Sequence, residues 1–381
     1  MKGQTKPRNI WLDFFKIFLC WLVVCIHFAG KEYAHFGVYR MAVPMFFMIS
    51  GYFVYHKEQE KRLEKAKGFI KRSTQYMLFG LAFYFVFNFL ICFRDKIDPS
   101  SLFKSLFVGD FIRNFLLFNL NPFSSAYHLW FIIALFVVAI LHFLLVKFKK
   151  EKWYYVIILV TIAAHFFFNG YVKMLGGAIV DLKYTRNGLF FGLPMFGIGY
   201  CLAKFNFHKK KWLKYIYLAA GLFFFWYQIV ESKALAREVY VSSVLSAAFL
   251  LLFFVGLKKR KCSFYYNFIG KSMPFYVYIL HVGIGVRLEK YLTLKHITVD
   301  DVYVKCLLIF FISFALYEIA FLLIKLFKWL YVLIDTAVRK KFPKKEKDVS
   351  LENTDETLVL IERESRPITQ EQEQEISSNI E

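Results

Sequence analysis

The first apolar stretch of the chain, residues 11–29, reads WLDFFKIFLCWLVVCIHFA. A helix of about 20 apolar residues is long enough to cross a bilayer, so this stretch predicts a membrane span. It nevertheless contains Asp13, Lys16 and His27, and ionisable side chains inside a span are costly enough to indicate a functional site. Lys16 and His27 share one helix face and lie about 16 Å apart along the axis. Asp13, three residues before Lys16, lies on the same face and can pair with it.

The composition indicates that this span belongs to a larger helical membrane protein. Of the 381 residues, 58% are hydrophobic, including 48 Phe and 24 Tyr, and further apolar runs of about 20 residues follow the first. We therefore predict an all-α, polytopic integral membrane protein with about ten transmembrane helices. Residues 102–120 are too charged to span and predict an interfacial helix or a folded outer loop. The other spans are predicted at residues 38–55, 73–93, 127–146, 153–172, 186–203, 215–230, 240–257, 272–292 and 302–326.

The charge distribution orients these spans. The formal net charge of +22 invites a nucleic-acid interpretation, but the basic residues lie mostly in short loops between apolar runs. The four connections predicted to face the cytoplasm carry 7, 4, 5 and 5 Lys or Arg, as the positive-inside rule requires, which predicts that both termini are cytoplasmic. We expect a multi-pass protein of the cytoplasmic (inner) cell membrane. Residues 1–335 form the predicted transmembrane domain, and residues 336–381 a disordered cytoplasmic tail with a basic start and an acidic end.

The predicted topology gives each intramembrane polar residue a depth. His27, Arg40, His128 and Arg186 converge on the outer side, whereas Lys16 lies toward the cytoplasmic side. Because the two groups are separated, we expect a site that is reached from both membrane faces, with a polar track along the first span.

Each of these polar residues also has an ordinary structural interpretation. Arg40 and Arg186 lie near span ends, where long basic side chains reach the interface, and His165 is expected to be a packing residue. His281 lies near mid-membrane, and Ser50 with the glycine that follows it allows close approach of two helices. From the residues alone, the polar stripe on the first span has two equally open interpretations, a functional site or an ordinary structural role.

Several of these residues fall in motifs. The spacing Lys16-x10-His27, with Asp13 before it, resembles the first-span signature of the acyltransferase 3 family of membrane O-acyltransferases. The run VPMFFMISGY at residues 43–52 is similar to the Phe-Phe-x-x-Ser-Gly element of that family. No hydrolase-like domain follows the tenth span, which is expected of the stand-alone type. Further similar elements are HLWF at residues 128–131, Arg186 with GLPMFGIGY at residues 192–200, and ILH at residues 279–281.

The resemblance implies transfer of an acyl group, commonly acetyl, from a cytoplasmic acyl-CoA to a hydroxyl of a glycan or lipid-linked sugar at the outer face. On this hypothesis His27 is the general base or is transiently acylated, Lys16 positions the acyl donor, and Asp13 keeps Lys16 charged. We expect acyl-CoA (acetyl-CoA) as the donor substrate and no metal, since the six cysteines lack metal-type spacing. The expected substrate-binding residues are Arg40, Ser50, His128, Arg186 and His281.

Two other classes of protein stay open from the residues. A transporter or exporter of a glycan precursor or small organic acid also has about ten spans with buried charges, although no inverted repeat is evident. A non-catalytic membrane partner whose acidic tail recruits another molecule is the third interpretation. The sequence leaves open the acyl group, the acceptor, the acylation of His27, the oligomeric state and the role of the tail.

Overall fold

The computed structural model describes residues 7–29, 37–100, 102, 104, 111–168, 171–178, 180–207, 212–234, 239–260, 264–299 and 301–341. Within these ranges the regular secondary structure is helical, as predicted. One antiparallel bridge joins Arg8 to Arg260, with N–H···O distances of 2.9 and 2.8 Å. It ties the residues that precede the first helix to the loop after residue 255.

The helices follow the predicted apolar runs. The first is capped by Asn9, whose side chain accepts a hydrogen bond from the Leu12 N–H at 3.1 Å. Two 3₁₀ turns and one π turn lead into later helices. The elements are α1 (Ile10–Phe28), a 3₁₀ turn (Gly37–Met41), α2 (Ala42–Val54), α3 (Gln59–Asp95), α4 (Phe111–Leu117), a 3₁₀ turn (Ser124–Leu129), α5 (Trp130–Lys147), α6 (Trp153–Phe168), a 3₁₀ helix (Tyr171–Leu175), α7 (Leu182–Thr185), a π turn (Gly188–Gly192), α8 (Leu193–Phe205), α9 (Leu213–Ala234), α10 (Val241–Val255), α11 (Phe264–Leu294) and α12 (Val302–Lys341).

Seven helical segments in the described part of the chain are long and apolar enough to cross a membrane. They contain the predicted spans one to four, six, seven and ten. The predicted fifth and eighth spans are the shorter apolar helices α6 and α10, of 16 and 15 residues, and the predicted ninth span lies within α11. The all-helical, multi-pass architecture is therefore confirmed, whereas the count of ten and the orientation of the termini stay predictions.

Glycines let α2 and α8 touch through their backbones. A Cβ atom on Gly51 would lie 2.0 Å from the carbonyl oxygen of Phe196, and one on Gly199 would lie 1.9 Å from that of Met48. No side chain fits at either position, so the close approach expected at Ser50-Gly51 is confirmed. This contact fixes α2 against α8, the two helices that follow Arg40 and Arg186 in the chain.

The chain divides into two compact units, Met1–Ala320 and Phe321–Glu381. The second unit is described from residue 321 to residue 341, as the last part of α12. The rest of the predicted tail lies outside the described residues, and the boundary at residue 335 stays a prediction. Of the predicted interfacial segment, residues 102–120, the described helix is α4.

Candidate active site

Two cavities lie against α1 in the described part of the chain, one near each polar end of the helix. The first, called the His27 cavity, has a volume of about 230 Å³. The second, called the Lys16 cavity, has a volume of about 470 Å³. The polar stripe predicted on α1 is therefore divided between two volumes. The His27 cavity is lined by Val23, Ile26, His27, Arg40, Val43, Tyr127, His128, Trp130, Phe131, His165, Arg186, Phe191, Val239 and Tyr278.

Histidines from three elements meet at the His27 cavity. The ring centroid of His281 lies 5.2 Å from that of His27 and 5.2 Å from that of His128, and His27 and His128 are 6.2 Å apart. His27 and His128 line the cavity, whereas His281 is fully buried and is not among the lining residues. Its expected role in substrate binding stays a prediction. Among the described residues, no group of three or more His, Cys, Asp or Glu is arranged to hold a metal ion.

The hydrogen bonds of these histidines define which nitrogens can react. The Tyr127 hydroxyl lies 3.1 Å from Nδ1 of His27. Nδ1 of His281 lies 2.8 Å from the Tyr278 carbonyl oxygen, and since a carbonyl only accepts, Nδ1 carries the hydrogen and Nε2 is an acceptor. Both ring nitrogens of His128 and Nε2 of His281 are buried with no hydrogen-bond partner among the described residues. Such atoms are uncommon in a folded protein. Others occur elsewhere among the described residues, but these three belong to histidines that meet at one cavity.

Arg186 reaches the same cavity from the turn before α8. Its guanidinium group lies 5.3 Å from the ring centre of Trp130, a cation–π contact that orients the group. Asn187 caps the turn, because its side-chain oxygen accepts the N–H groups of Leu189 and Phe190 at 3.0 and 2.9 Å. The position of Arg186 is thus set by the capped π turn.

Arg40 lines the His27 cavity from the 3₁₀ turn before α2. Gly37, at the start of this turn, packs closely on α9: its N–H donates to Ser232 Oγ at 3.3 Å, and a Cβ there would lie 2.7 Å from the Gln228 carbonyl oxygen. With Arg186, the described lining holds two guanidinium groups and no carboxylate. Such a lining suits a negatively charged group or a developing oxyanion.

The Lys16 cavity contains an ion network at the start of α1. Asp13 bridges two cations: Lys16 Nζ lies 2.6 Å from Oδ1 and Arg8 Nε lies 3.0 Å from Oδ2. The Asp13–Lys16 pair forms as the helix spacing predicts, and Arg8 joins it. The cavity is lined by Pro7, Arg8, Asn9, Leu12, Asp13, Lys16, Phe46, Ile49, Ser50, Phe53, Val54, Phe69, Arg72, Ser73, Tyr76, Phe131, Ile132, Leu135, Lys259, Pro274, Phe275 and Tyr278.

The described lining of the Lys16 cavity has an excess of positive charge. Arg8, Lys16, Arg72 and Lys259 contribute four positive charges, and Asp13 contributes one negative charge. The net charge is therefore +3, in a cavity whose remaining lining is mostly apolar. That combination favours a ligand with phosphates at one end and an uncharged arm.

Ser50 lies in the Lys16 cavity and not beside the histidines. Its hydroxyl donates to the Phe46 carbonyl oxygen of its own helix at 2.9 Å. The structure thus separates Ser50 from Arg40 and His128, with which it was grouped as a substrate-binding residue. Any ligand that meets Ser50 enters through the cavity that holds Lys16.

Sequence reasoning missed several lining residues. Tyr127, Tyr278 and Arg72 were not singled out, and His165, expected to be a packing residue, lines the His27 cavity. Nδ1 of His165 lies 3.2 Å from the Thr185 carbonyl oxygen. A usable signal existed for the tyrosines, because one adjoins a candidate histidine in the chain and the other lies three residues, about one helical turn, before a second.

The profile of an acyltransferase domain matches residues 9–329 of the chain. The match includes every residue named above at the two cavities except Pro7 and Arg8. The chain belongs to the acyltransferase 3 family. The family expected from the first two motifs is confirmed, and it supports a membrane acyltransferase.

Other comparisons add little to the family assignment. This acyltransferase 3 member is 28% identical over 220 residues to an amino-acid racemase from Enterococcus faecalis. The match covers 52% of this chain and 29% of the racemase, so the chain spans under a third of that relative. No solved structure matches the chain. The activity in the racemase's name is therefore not carried over to this protein.

Proposed function

We propose that the protein is an O-acyltransferase that moves an acyl group, acetyl in the simplest case, from cytoplasmic acyl-CoA to a hydroxyl of a glycan or lipid-linked saccharide at the outer face. The observation that supports this most directly is the division of α1 between two cavities. Lys16 lies in one and His27 in the other, as expected of an enzyme whose two substrates arrive from opposite membrane faces.

The Lys16 cavity is the proposed acyl-CoA site. Its net charge of +3 suits the phosphates of coenzyme A, and its apolar walls suit the uncharged pantetheine arm. The ion pair with Asp13 at 2.6 Å fixes the Lys16 ammonium group in the lining of this cavity. The positive-inside distribution of the loops predicts that this end of α1 is cytoplasmic, on the side where acyl-CoA is made.

The His27 cavity is the proposed acceptor site. In the tautomer required here, Nδ1–H of His27 donates to the Tyr127 hydroxyl oxygen at 3.1 Å, and the unprotonated Nε2 accepts the proton of the acceptor hydroxyl. Arg40 and Arg186 line the same cavity and supply N–H groups for the oxyanion that forms during transfer.

In the proposed reaction His27 takes up one proton and then releases it. Neutral His27 removes the proton of the acceptor hydroxyl while the hydroxyl oxygen attacks the thioester carbonyl carbon. The tetrahedral oxyanion then collapses, the carbon–sulfur bond breaks, and the coenzyme A thiolate takes the proton from the imidazolium. The products are the O-acyl ester and coenzyme A, and His27 is neutral again.

The proposal is tested with membranes that contain the protein and acetyl-CoA labelled in the acetyl group. Label is followed into glycan and lipid-linked saccharide fractions, and free coenzyme A thiol is measured in parallel. For His27→Ala we expect transfer to fall about 10²- to 10⁴-fold, the usual contribution of a general base, while acetyl-CoA binding is unchanged.

A matched histidine outside both cavities controls for the substitution. His296 is exposed and has a positive φ of 55°, so His296→Asn keeps a residue that tolerates this backbone and should retain full transfer. Full transfer by His27→Ala contradicts the assigned base. Movement of a saccharide across the membrane without acetyl-CoA consumption supports the transporter instead.

A further inference from the structure

The two cavities share a wall. Among the described residues, Phe131 and Tyr278 line both the His27 cavity and the Lys16 cavity. Both side chains are half-buried, as expected of rings that present one surface to each volume. The shared wall therefore stands between the proposed acyl-CoA site and the proposed base.

Aromatic contacts close this wall. The ring centroids of Phe131 and Tyr278 lie 5.5 Å apart at an interplanar angle of 60°. Phe131 also packs against Phe47 at 4.7 Å and Phe46 at 6.3 Å. Centroid separations of this size are ordinary aromatic contact, so no gap separates the rings.

The wall is tied to the histidine cluster. The Tyr278 hydroxyl donates a hydrogen bond to the backbone carbonyl oxygen of His128. Phe131 follows His128 by three residues, and Tyr278 precedes His281 by three, so each ring lies about one turn from a histidine on its own segment. A displacement of either ring therefore acts on the elements that position the reacting groups.

We propose that Phe131 and Tyr278 are the specificity-determining residues for the acyl group, since an acyl thioester must part these two rings to reach His27. This inference rests on the proposed function. A short acyl group needs a small displacement of the rings, and each added methylene needs a larger one, so the wall selects short acyl donors.

The first test compares kcat/KM for acetyl-CoA and butyryl-CoA in Phe131→Ala. Discrimination at a tight apolar site is about tenfold or more per methylene, so the butyryl-to-acetyl ratio should rise at least tenfold over the wild-type ratio. Phe131→Leu, which keeps an apolar side chain if the alanine variant does not fold, should shift the ratio in the same direction. An unchanged ratio in a folded variant overturns the proposal.

The matched control is Phe136→Ala. Phe136 lies on the same helix, α5, is half-buried and lines neither cavity. It should leave the acyl ratio unchanged. A ratio shift in Phe136→Ala equal to that in Phe131→Ala would assign the effect to general loosening of α5 and overturn the role of the wall.

A second test does not depend on acyl transfer. Val43 lines the His27 cavity, and Val43→Cys in a chain without its six native cysteines places a thiol there. A charged, membrane-impermeant thiol reagent is added to each face of sealed vesicles in turn. From the face of the Lys16 cavity, labelling should be slow and should rise about tenfold when Phe131→Ala is added, as for a barrier lowered by about 1.4 kcal/mol.

The two tests separate the two claims. Faster labelling in Phe131→Ala with no acyl transfer by the wild-type protein keeps the wall and rejects the proposed function. Equal labelling rates with and without Phe131→Ala reject the wall even where acyl transfer is observed. In Tyr278→Phe, which keeps the ring and removes the bond to His128, the increase in labelling should be smaller than in Phe131→Ala.

Discussion

The His27 cavity and the Lys16 cavity differ in how their polar atoms are satisfied. In the Lys16 cavity, Asp13 is held by two cations and the Ser50 hydroxyl by a backbone carbonyl. At the His27 cavity, the buried nitrogens of His128, and Nε2 of His281 behind the lining, have no partner among the described residues. Keeping buried polar atoms unsatisfied costs stability. The difference agrees with the proposed roles, in which the Lys16 cavity holds the acyl donor and the His27 cavity carries the base.

After His27→Ala, the largest loss of kcat is expected for substitution of Arg186 in the His27 cavity. Arg186→Ala removes a guanidinium group that lines the His27 cavity and is proposed to stabilise the oxyanion, and loss of one such contact lowers kcat by about 10²- to 10³-fold. Arg186→Lys should restore part of the rate, because it keeps the charge but loses the planar contact with Trp130. Steady-state transfer from labelled acetyl-CoA measures both.

Lys183→Ala is the control for Arg186. Lys183 pairs with Asp181 at 3.3 Å and does not line the His27 cavity, so its removal should leave kcat unchanged. A rise in the KM for the acceptor with unchanged kcat in Arg186→Ala would assign Arg186 to acceptor binding alone.

Lys16→Ala tests the other cavity. Loss of one charge-assisted contact to phosphate costs about 1.5–3 kcal/mol, so the KM for acetyl-CoA should rise on the order of tenfold to a hundredfold. The KM for the acceptor should not change. Lys61→Ala, which removes an exposed lysine paired with Glu58, is the control. Unchanged affinity for acetyl-CoA in Lys16→Ala would remove Lys16 from the donor site.

His281 is expected to be a positioning residue behind His27. Nε2 of His281 has no partner among the described residues, and we expect it to accept a hydrogen bond during the reaction. His281→Asn keeps a side-chain N–H for the Tyr278 carbonyl but lacks this acceptor, so kcat should fall about fivefold, the value of one hydrogen bond of about 1 kcal/mol. The KM values for acetyl-CoA and the acceptor should not change. If His281→Asn retained full activity while His281→Ala lost it, His281 would serve packing only and would not position the reacting groups.

The smallest effect is expected for Ser50→Ala. The hydroxyl bonds within its own helix, an arrangement that contributes little to stability, so kcat should change by less than about twofold. A large loss of kcat with a stable, membrane-inserted protein would make Ser50 a reacting group and would break the division of roles between the cavities.

Much of the fold was readable from the sequence because a bilayer dictates both the length and the apolarity of each span. The polar stripe on α1 followed from helix geometry, and the Asp13–Lys16 pair from its spacing of three residues. The division of that stripe into two cavities was not readable. It depends on rings from α5 and α11, Phe131 and Tyr278, whose inward direction is set by tertiary packing.

The depth of His281 shows a second limit of the sequence. The depth of His281 was predicted by counting residues from a span that begins at residue 272, whereas α11 begins at Phe264. The structure places the His281 ring 5.2 Å from His27, although the count put it near mid-membrane and His27 near the outer end. Arg72 was not predicted at a cavity, because the sequence does not distinguish it from the other basic residues of the segment 57–72.

The length of the π turn before α8 sets the direction in which Arg186 leaves the chain. The N–H of Gly192 bonds to the carbonyl oxygen of Asn187 at 3.0 Å, five residues back, so the turn holds one residue more than an α-helical turn. Deleting that residue would restore the α-helical pitch and rotate the preceding Arg186 by about 100°. The contact of Gly199 with α2 would remain. A change of one residue in the length of this turn would therefore alter the lining of the His27 cavity while the contact between α2 and α8 is kept.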